Sequence, residues 1–130
     1  MNKMYLTMHN IFIIDDDRPS RILIREIVRN EDISSIEAAN GYEAIAKFDM
    51  YKNNIELILL DIHLPGISGF ELLKHFRSVA PDIPVIAISA VPSADMLDEC
   101  LQAGFDQFIS KPFNFTEFSS ILENFLSYSM

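Results

Sequence analysis

An apolar run that ends in a single carboxylate constrains this sequence more than any other feature. Residues 57–60 read Leu-Ile-Leu-Leu without polar alternation, and Asp61 follows directly, shortly before a Pro65-Gly66 turn. A short run of this kind predicts a strand covered on both faces, as in the middle of a parallel sheet. Ligand crevices in open α/β sheets form outside the carboxyl ends of the strands, so Asp61 is a candidate functional residue.

Strand and helix patterns alternate along the rest of the chain. Strands are predicted at 11–14, 35–39, 57–60, 85–89 and 107–109, and helices at about 18–30, 41–51, 69–78, 93–104 and 114–126. Asn40, Ser93 and Asn114 stand where helix N-caps are expected. Five βα units in series predict an α/β fold with a doubly wound, five-stranded parallel sheet and helices on both faces. The flavodoxin-like strand order 2-1-3-4-5 suits five strands.

Length and composition indicate one globular unit. The 130 residues are 49% hydrophobic, enough for one core, and we divide them into an N-terminal extension (1–9) and a domain (10–130). The net charge of −9 disfavours nucleic acid and anionic membranes as partners. Because the first ten residues are too polar for a signal peptide and no apolar run approaches membrane-spanning length, we expect a cytoplasmic protein.

The predicted strand order brings several acidic residues together. Strands one and three are neighbours, so Asp15 and Asp16 should lie close to Asp61. Three carboxylates in one crevice repel each other, and the usual remedies are a raised pKa or a hard divalent cation such as Mg²⁺. A purely structural interpretation stays open, in which residues 15–17 only favour the positive end of the first helix.

A hydroxyl and an ammonium reach the same edge of the sheet. Ser89 ends the fourth strand and Lys111 follows the fifth. A lone aspartate, an acid pair, a hydroxyl and a lysine are the groups that aspartyl phosphoryl transfer needs: a nucleophile, ligands for a metal, and donors for the phosphoryl oxygens.

Four motifs resemble those of a known family. They are Ile13-Ile14-Asp15-Asp16, the segment Leu60-Asp61-Ile62-His63-Leu64-Pro65-Gly66, Ser89-Ala90, and Lys111-Pro112-Phe113. With these motifs, residues 10–128 resemble the receiver domain of two-component response regulators.

The resemblance implies a set of site residues. Asp61 would be the phosphoacceptor, taking a phosphoryl group from a histidine kinase or a histidine phosphotransfer protein. The implied ligands of Mg²⁺, for which Mn²⁺ could substitute, are Asp15, Asp16, Asp61 and the backbone carbonyl of His63. Ser89 and Lys111 would contact the phosphoryl group, and the Lys111-Pro112 peptide bond would be cis.

The resemblance also implies a switch. Ser89 would move towards the phosphoryl group and Phe108 would turn inward, which changes the face formed by helix four, strand five and helix five. That face would bind a downstream protein target, and a homodimer could form through it. Such a protein phosphorylates and dephosphorylates itself and turns over no outside substrate. It could stand alone, act as a phosphorelay intermediate, or be a receiver cut from a larger hybrid kinase or regulator.

Two positions beside the site depart from common family patterns. His63 and Val91 each stand two residues after a site residue, where side chains tune hydrolysis of the phosphoryl group. We hypothesise that the His63 imidazole hydrogen-bonds the phosphoryl group or orients water, against the alternative of a solvated loop histidine.

Two other functions are weighed against signalling. A phosphohydrolase of the aspartyl-phosphate type would need an acid two residues after Asp61, where this chain has His63. A nucleotide or flavin binder would need a phosphate-binding loop after the first strand, where three aspartates (residues 15–17) would repel phosphate.

Overall fold

The computed structural model describes residues 10–90 and 93–126, in which strands and helices alternate. The strands are β1 (Asn10–Ile14), β2 (Ser34–Ala38), β3 (Leu57–Asp61), β4 (Val85–Ser89) and β5 (Gln107–Ser110). The helices are α1 (Arg18–Arg29), α2 (Gly41–Tyr51), α3 (Gly69–Val79), α4 (Ala94–Ala103) and α5 (Phe115–Phe125), with a 3-10 turn at Lys52–Asn54. The extension predicted at residues 1–9 lies outside the described residues.

All five strands form one parallel sheet in the order β2-β1-β3-β4-β5, which confirms the predicted topology. β1 and β3 pair side by side with Ile14 opposite Leu60. β4 and β5 pair with Ser89 opposite Ser110. Because parallel strands end at the same edge of a sheet, the residues that follow β1, β3, β4 and β5 emerge close together.

Two hydrophobic clusters cover the two faces of the sheet. One joins the sheet to α2, α3 and α4, and it contains Phe12, Phe48, Leu72, Phe76 and Cys100. The other joins the sheet to α1 and α5, and it contains Ile24, Val28, Phe118, Ile121 and Leu122. Helices therefore lie on both faces, as predicted. Within the described residues, no helix has the length and apolar composition needed to cross a bilayer.

Side-chain caps fix where the helices begin. Asn40, Ser93 and Asn114 each accept a hydrogen bond from the backbone N–H three residues on, at 2.8, 3.0 and 3.0 Å, which confirms the predicted caps. Asp17 caps α1 and Ser68 caps α3 in the same way. Each cap stabilises its helix by about 1 kcal/mol, and all five shape the connections at the edge where the strands end.

The predicted buried stripes of α1 and α4 are too wide. Apolar residues at helical spacing predict a buried stripe on α1 (Leu23, Ile24, Ile27 and Val28) and one on α4 (Met96, Leu97, Cys100 and Leu101). The side chains of Leu23, Leu97 and Leu101 are instead 48%, 42% and 50% exposed. α4 lies over the edge strand β5, so only a narrow arc of the helix meets the sheet, with Cys100 buried and Met96 partly buried. The prediction was wrong here because helical periodicity identifies an apolar face but not how much of that face is covered.

Candidate functional site

Asp61 ends β3 and is held in place by the loop that follows. The side chain is 6% exposed, and its Oδ1 accepts a hydrogen bond from the backbone N–H of His63 at 2.8 Å. Gly66 has φ of +80°, in the left-handed region that favours glycine. Gly69 passes so close to β3 that an added Cβ would lie 2.6 Å from the Cα of Ile62. The loop therefore orients the carboxylate through close backbone contacts.

Two further carboxylates converge on Asp61. Asp15 is fully buried and Asp16 is exposed. One carboxylate oxygen from each of the three residues lies within 4.8 Å of those of the other two. Asp17 has a different role, because its carboxylate caps α1 and accepts hydrogen bonds from both the N–H and the hydroxyl of Ser20. The structure thus brings together the three acids predicted to be neighbours.

Lys111 faces this acidic cluster from the end of β5. Its Nζ lies 2.7 Å from Oδ2 of Asp15 and 3.3 Å from Oδ2 of Asp61. Its backbone N–H donates to the carbonyl of Ser89 at 2.8 Å, which ties the strand ends together. The peptide bond between Lys111 and Pro112 is cis. One ammonium is therefore shared between two carboxylates.

Burial and charge shift the pKa values of this pair. Desolvation raises the pKa of Asp15 above its ordinary 3.8, and the charge of Asp61 adds to this effect, against hydrogen bonds from Lys111 and the Asp17 N–H. Burial alone would lower the pKa of Lys111, but the hydrogen bond and charge of Asp15 and the charge of Asp61 prevail and raise it above 10.5. Lys111 therefore stays protonated, and burial makes the charged form of Asp15 costlier than it would be in water.

Ser89 and His63 meet beside Asp61. Ser89 is fully buried at the end of β4, and its Oγ lies 3.0 Å from Nε2 of His63. The sequence hypothesis placed this imidazole on the phosphoryl group or on water. In the structure the imidazole pairs with the serine hydroxyl, and its contact with a phosphoryl group or with water stays a prediction.

Arg21 is a site residue that the sequence analysis did not identify. Its guanidinium donates to the backbone carbonyl of Asp15 at 2.7 Å, lies 3.4 Å from a carboxylate oxygen of Glu37, and is only 15% exposed. In the sequence Arg21 is one of several arginines along α1, and nothing distinguishes it from its solvated neighbours. It supports the backbone from which the Asp15 carboxylate projects.

The acidic cluster suits a hard divalent cation. All the candidate ligands are oxygens, which Mg²⁺ prefers, and the cluster carries more negative charge than one lysine offsets. Oδ2 of Asp15 is buried and makes no well-aligned hydrogen bond among the described residues, apart from its ion pair with Lys111. Participation of the His63 carbonyl, and substitution by Mn²⁺, stay predictions.

Two further predicted residues lie apart from the carboxylates or among the residues that the structure does not describe. Phe108, in β5, is partly buried and packs against the cluster formed with α2, α3 and α4. Its inward rotation stays a prediction. Val91 lies outside the described residues.

A groove opens beside Lys111 towards α1. Its volume is about 440 Å³. It is lined by Asp17, Pro19, Ser20, Leu23, Ala90, Lys111, Pro112 and Phe113. The exposure of Leu23, which the buried-stripe prediction missed, is explained by its place on the wall of this groove.

Comparisons of this sequence with a family model and with known proteins agree on one family. The family model of the response regulator receiver domain matches residues 11–123. Sporulation initiation phosphotransferase F of Bacillus subtilis (strain 168) is 33% identical over 116 residues, which cover 89% of this chain and 92% of that protein. The chemotaxis protein CheY of Listeria monocytogenes is 36% identical over 107 residues, which cover 82% of this chain and 88% of that protein.

Solved structures show the same architecture. CheY in the CheX-CheY-BeF3-Mg complex from Borrelia burgdorferi superposes with a TM-score of 0.86 at 27% identity, covering 98% of this chain and 96% of that one. CheY4 of Vibrio cholerae superposes with a TM-score of 0.82 at 26% identity, covering 92% and 99%. The first of these structures holds Mg²⁺ and a beryllofluoride group together.

Proposed function

This chain belongs to the family of response regulator receiver domains, and from that membership we propose that Asp61 accepts a phosphoryl group from a phosphohistidine donor in a magnesium-dependent reaction. The observation that carries the proposal is the convergence of three carboxylates and Lys111, whose Nζ lies 3.3 Å from Asp61 and 2.7 Å from Asp15. A solvated helix terminus would not need a partly buried lysine between two buried acids.

The transfer is a displacement at phosphorus. A carboxylate oxygen of Asp61 forms a P–O bond as the P–N bond of the donor phosphohistidine breaks. The donor imidazole leaves with the electron pair of that bond and takes up a proton. Lys111 and Ser89 contact the transferred phosphoryl oxygens, where an ammonium and a hydroxyl offset negative charge.

The acidic residues prepare the site for this step. Mg²⁺ held by Asp15, Asp16, Asp61 and the backbone carbonyl of His63 would offset charge on the phosphoryl oxygens and the acceptor. Arg21 supports Asp15 through its backbone carbonyl, and Lys111 limits the repulsion between Asp15 and Asp61.

Phosphorylation is read out on a protein surface. We place the switch at Ser89 and Phe108, and the responding face on α4, β5 and α5. Leu97 and Leu101 are exposed on α4, so this face offers apolar contacts to a downstream target or to a second copy of the chain.

The phosphodonor approaches at the other side of the site. The groove of about 440 Å³ beside Lys111 has Pro19 and Leu23 of α1 on one wall and Phe113 on another. A kinase or phosphotransfer domain seated there would bring its phosphohistidine close to Asp61. We further propose that this exchange takes place in the cytoplasm.

The test is phosphoryl transfer from a phosphorylated histidine phosphotransfer protein, with acetyl phosphate as a second donor. In Mg²⁺ the wild-type mass should rise by one phosphoryl group, and it should not rise with chelator or in Asp61→Asn. The matched control Asp82→Asn, at an exposed residue, should be phosphorylated like wild type. An unchanged wild-type mass with both donors would refute the proposal.

One observation favours a more specific role as a phosphorelay intermediate. The relative named sporulation initiation phosphotransferase F is matched over 92% of its length. If this role applies, phosphorylated protein mixed with a second histidine phosphotransfer protein should pass its phosphoryl group on. A regulator that acts only through binding would keep it until hydrolysis.

A further inference from the structure

The contact between His63 and Ser89 has no part in the transfer step described above. Nε2 of His63 lies 3.0 Å from Oγ of Ser89, although the two residues are 26 positions apart in the chain. Ser89 is fully buried, whereas His63 is exposed in the loop between β3 and α3. The hydrogen bond therefore connects a surface loop to the end of a central strand.

His63 is anchored on both its backbone and its side chain. Its N–H donates to Oδ1 of Asp61 at 2.8 Å, while its imidazole meets Ser89. One residue thus bridges the phosphoacceptor and the hydroxyl that would contact the phosphoryl group. A replacement could make the side-chain contact only if it carries a nitrogen or oxygen at similar reach, as glutamine does.

We propose that His63 is a positioning residue for the switch, which holds the Ser89 hydroxyl away from the phosphoryl site until phosphorylation draws it over. The proposal rests on the proposed function, in which Asp61 carries the phosphoryl group and Ser89 contacts it. It assigns the hydroxyl as donor and Nε2 of the neutral imidazole as acceptor. A serine hydroxyl has one proton to donate, so Ser89 exchanges His63 for a phosphoryl oxygen on activation.

The opposite assignment makes a different prediction. If Nε2–H donated to Oγ, His63 would not compete with a phosphoryl oxygen for the hydroxyl proton, and His63 would strengthen that contact. Removing the imidazole would then weaken binding of a phosphoryl group. The assignment proposed here requires that its removal strengthen binding, so the sign of one measurement separates them.

The size of the effect follows from the exchange of partners. A hydrogen bond that exists only in the resting state lowers the fraction of protein ready to bind, and the apparent affinity falls by that fraction. One net hydrogen bond corresponds to a change of about two- to tenfold. We therefore expect His63→Ala to bind beryllofluoride about two- to tenfold more tightly than wild type at saturating Mg²⁺.

The experiment is a double-mutant cycle. Calorimetric titration with beryllofluoride would compare wild type, His63→Ala, Ser89→Ala and the double variant. In the Ser89→Ala background His63→Ala should have no effect, because the hydroxyl it acts through is gone. His63→Gln, which keeps an acceptor at similar reach, should bind like wild type. Urea unfolding of each variant separates these effects from a loss of fold.

The outcomes are decisive in both directions. Tighter binding by His63→Ala that vanishes without Ser89 supports the role of His63. Unchanged or weaker binding by His63→Ala, or an equal effect in both backgrounds, overturns it while leaving the proposed function intact. If wild type binds no beryllofluoride in Mg²⁺, the proposed function falls and the role of His63 falls with it.

Discussion

Lys111 and Asp15 form a partly buried ion pair, with Nζ 2.7 Å from Oδ2. The same ammonium lies 3.3 Å from Asp61, so one positive charge faces a cluster of three carboxylates. A buried negative charge is costly unless it is fully paired. Without a metal, the crowded carboxylates therefore lower the free energy of unfolding, and a bound cation would relieve this destabilisation.

The first prediction concerns Asp15→Asn. We expect it to raise the free energy of unfolding of the metal-free protein by about 1 kcal/mol near neutral pH, because Lys111 keeps Asp61 as a partner. Since the pKa of folded Asp15 is raised, its stabilising contribution is present below 3.8 and is lost as pH rises through the raised value. Asparagine does not titrate, so the advantage of the variant should grow with pH.

Urea unfolding in a chelator between about pH 4 and 8 measures this difference. Asp82→Asn, at an exposed position, is the control and should follow wild type. Added Mg²⁺ should stabilise wild type much more than Asp15→Asn. A stability difference that stays constant with pH would contradict the assignment of the cost to Asp15.

The second prediction separates the two tasks of Lys111. Lys111→Met removes a positive charge from the acidic cluster, so Mg²⁺ should bind roughly tenfold more tightly. The same variant loses the ammonium that contacts the phosphoryl group, so phosphorylation by acetyl phosphate should slow. Calorimetry and mass spectrometry measure the two effects, and exposed Lys74→Met serves as control. If Lys111→Met lowered both the affinity for Mg²⁺ and the phosphorylation rate, Lys111 would be needed only for folding.

The sequence was sufficient to predict the sheet and the convergence of the acids. Those features depend on apolar runs and on which residue ends each strand, and both can be read locally. Asp15 and Asp61 had to meet once β1 and β3 were neighbours.

The side-chain contacts around the site could not be predicted in the same way. The bonds from His63 to Ser89 and from Arg21 to the Asp15 carbonyl depend on rotamers and on the spacing between elements. Neither is encoded in a periodic pattern. The width of the covered arc on α4 has the same origin, since the exposure of Leu97 and Leu101 depends on where the sheet ends.

The third prediction concerns Gly69→Ala. An added Cβ would lie 2.6 Å from Cα of Ile62 and 3.1 Å from the carbonyl oxygen of Asp61, both backbone atoms that cannot swing aside. We expect destabilisation by about 1–3 kcal/mol and slower phosphorylation, because β3 and α3 must separate.

Gly104→Ala is the comparison for Gly69→Ala. Its φ is +108° but nothing lies within 4 Å of an added Cβ, so it tests backbone strain without crowding. It should cost about 1–2 kcal/mol in urea unfolding and leave the phosphorylation rate unchanged. Equal phosphorylation rates for Gly69→Ala and wild type would show that the close approach at Gly69 does not position Asp61.

The fourth prediction concerns a network at the opposite edge of the sheet. Arg77 donates to the carbonyls of Ile83 and Gly104 at 2.6 and 2.8 Å and to Asp106 at 2.8 Å, while Asp106 accepts from the N–H of Val85 at 2.8 Å. These bonds join the end of α3, the start of β4 and the turn between α4 and β5.

Arg77→Lys keeps the charge but loses the planar fork that serves several acceptors at once, so it should lower the free energy of unfolding by about 1–3 kcal/mol. Arg29→Lys, whose partner Glu26 is a highly exposed neighbour on α1, should change stability by less than about 0.5 kcal/mol. Because the network lies away from Asp61, the phosphorylation rate of Arg77→Lys should match wild type.

In a cycle with Asp106→Asn the two losses should not add, since both remove the same bond. Full additivity in urea unfolding would mean that the carbonyl contacts of Arg77, and not its pairing with Asp106, hold this edge together.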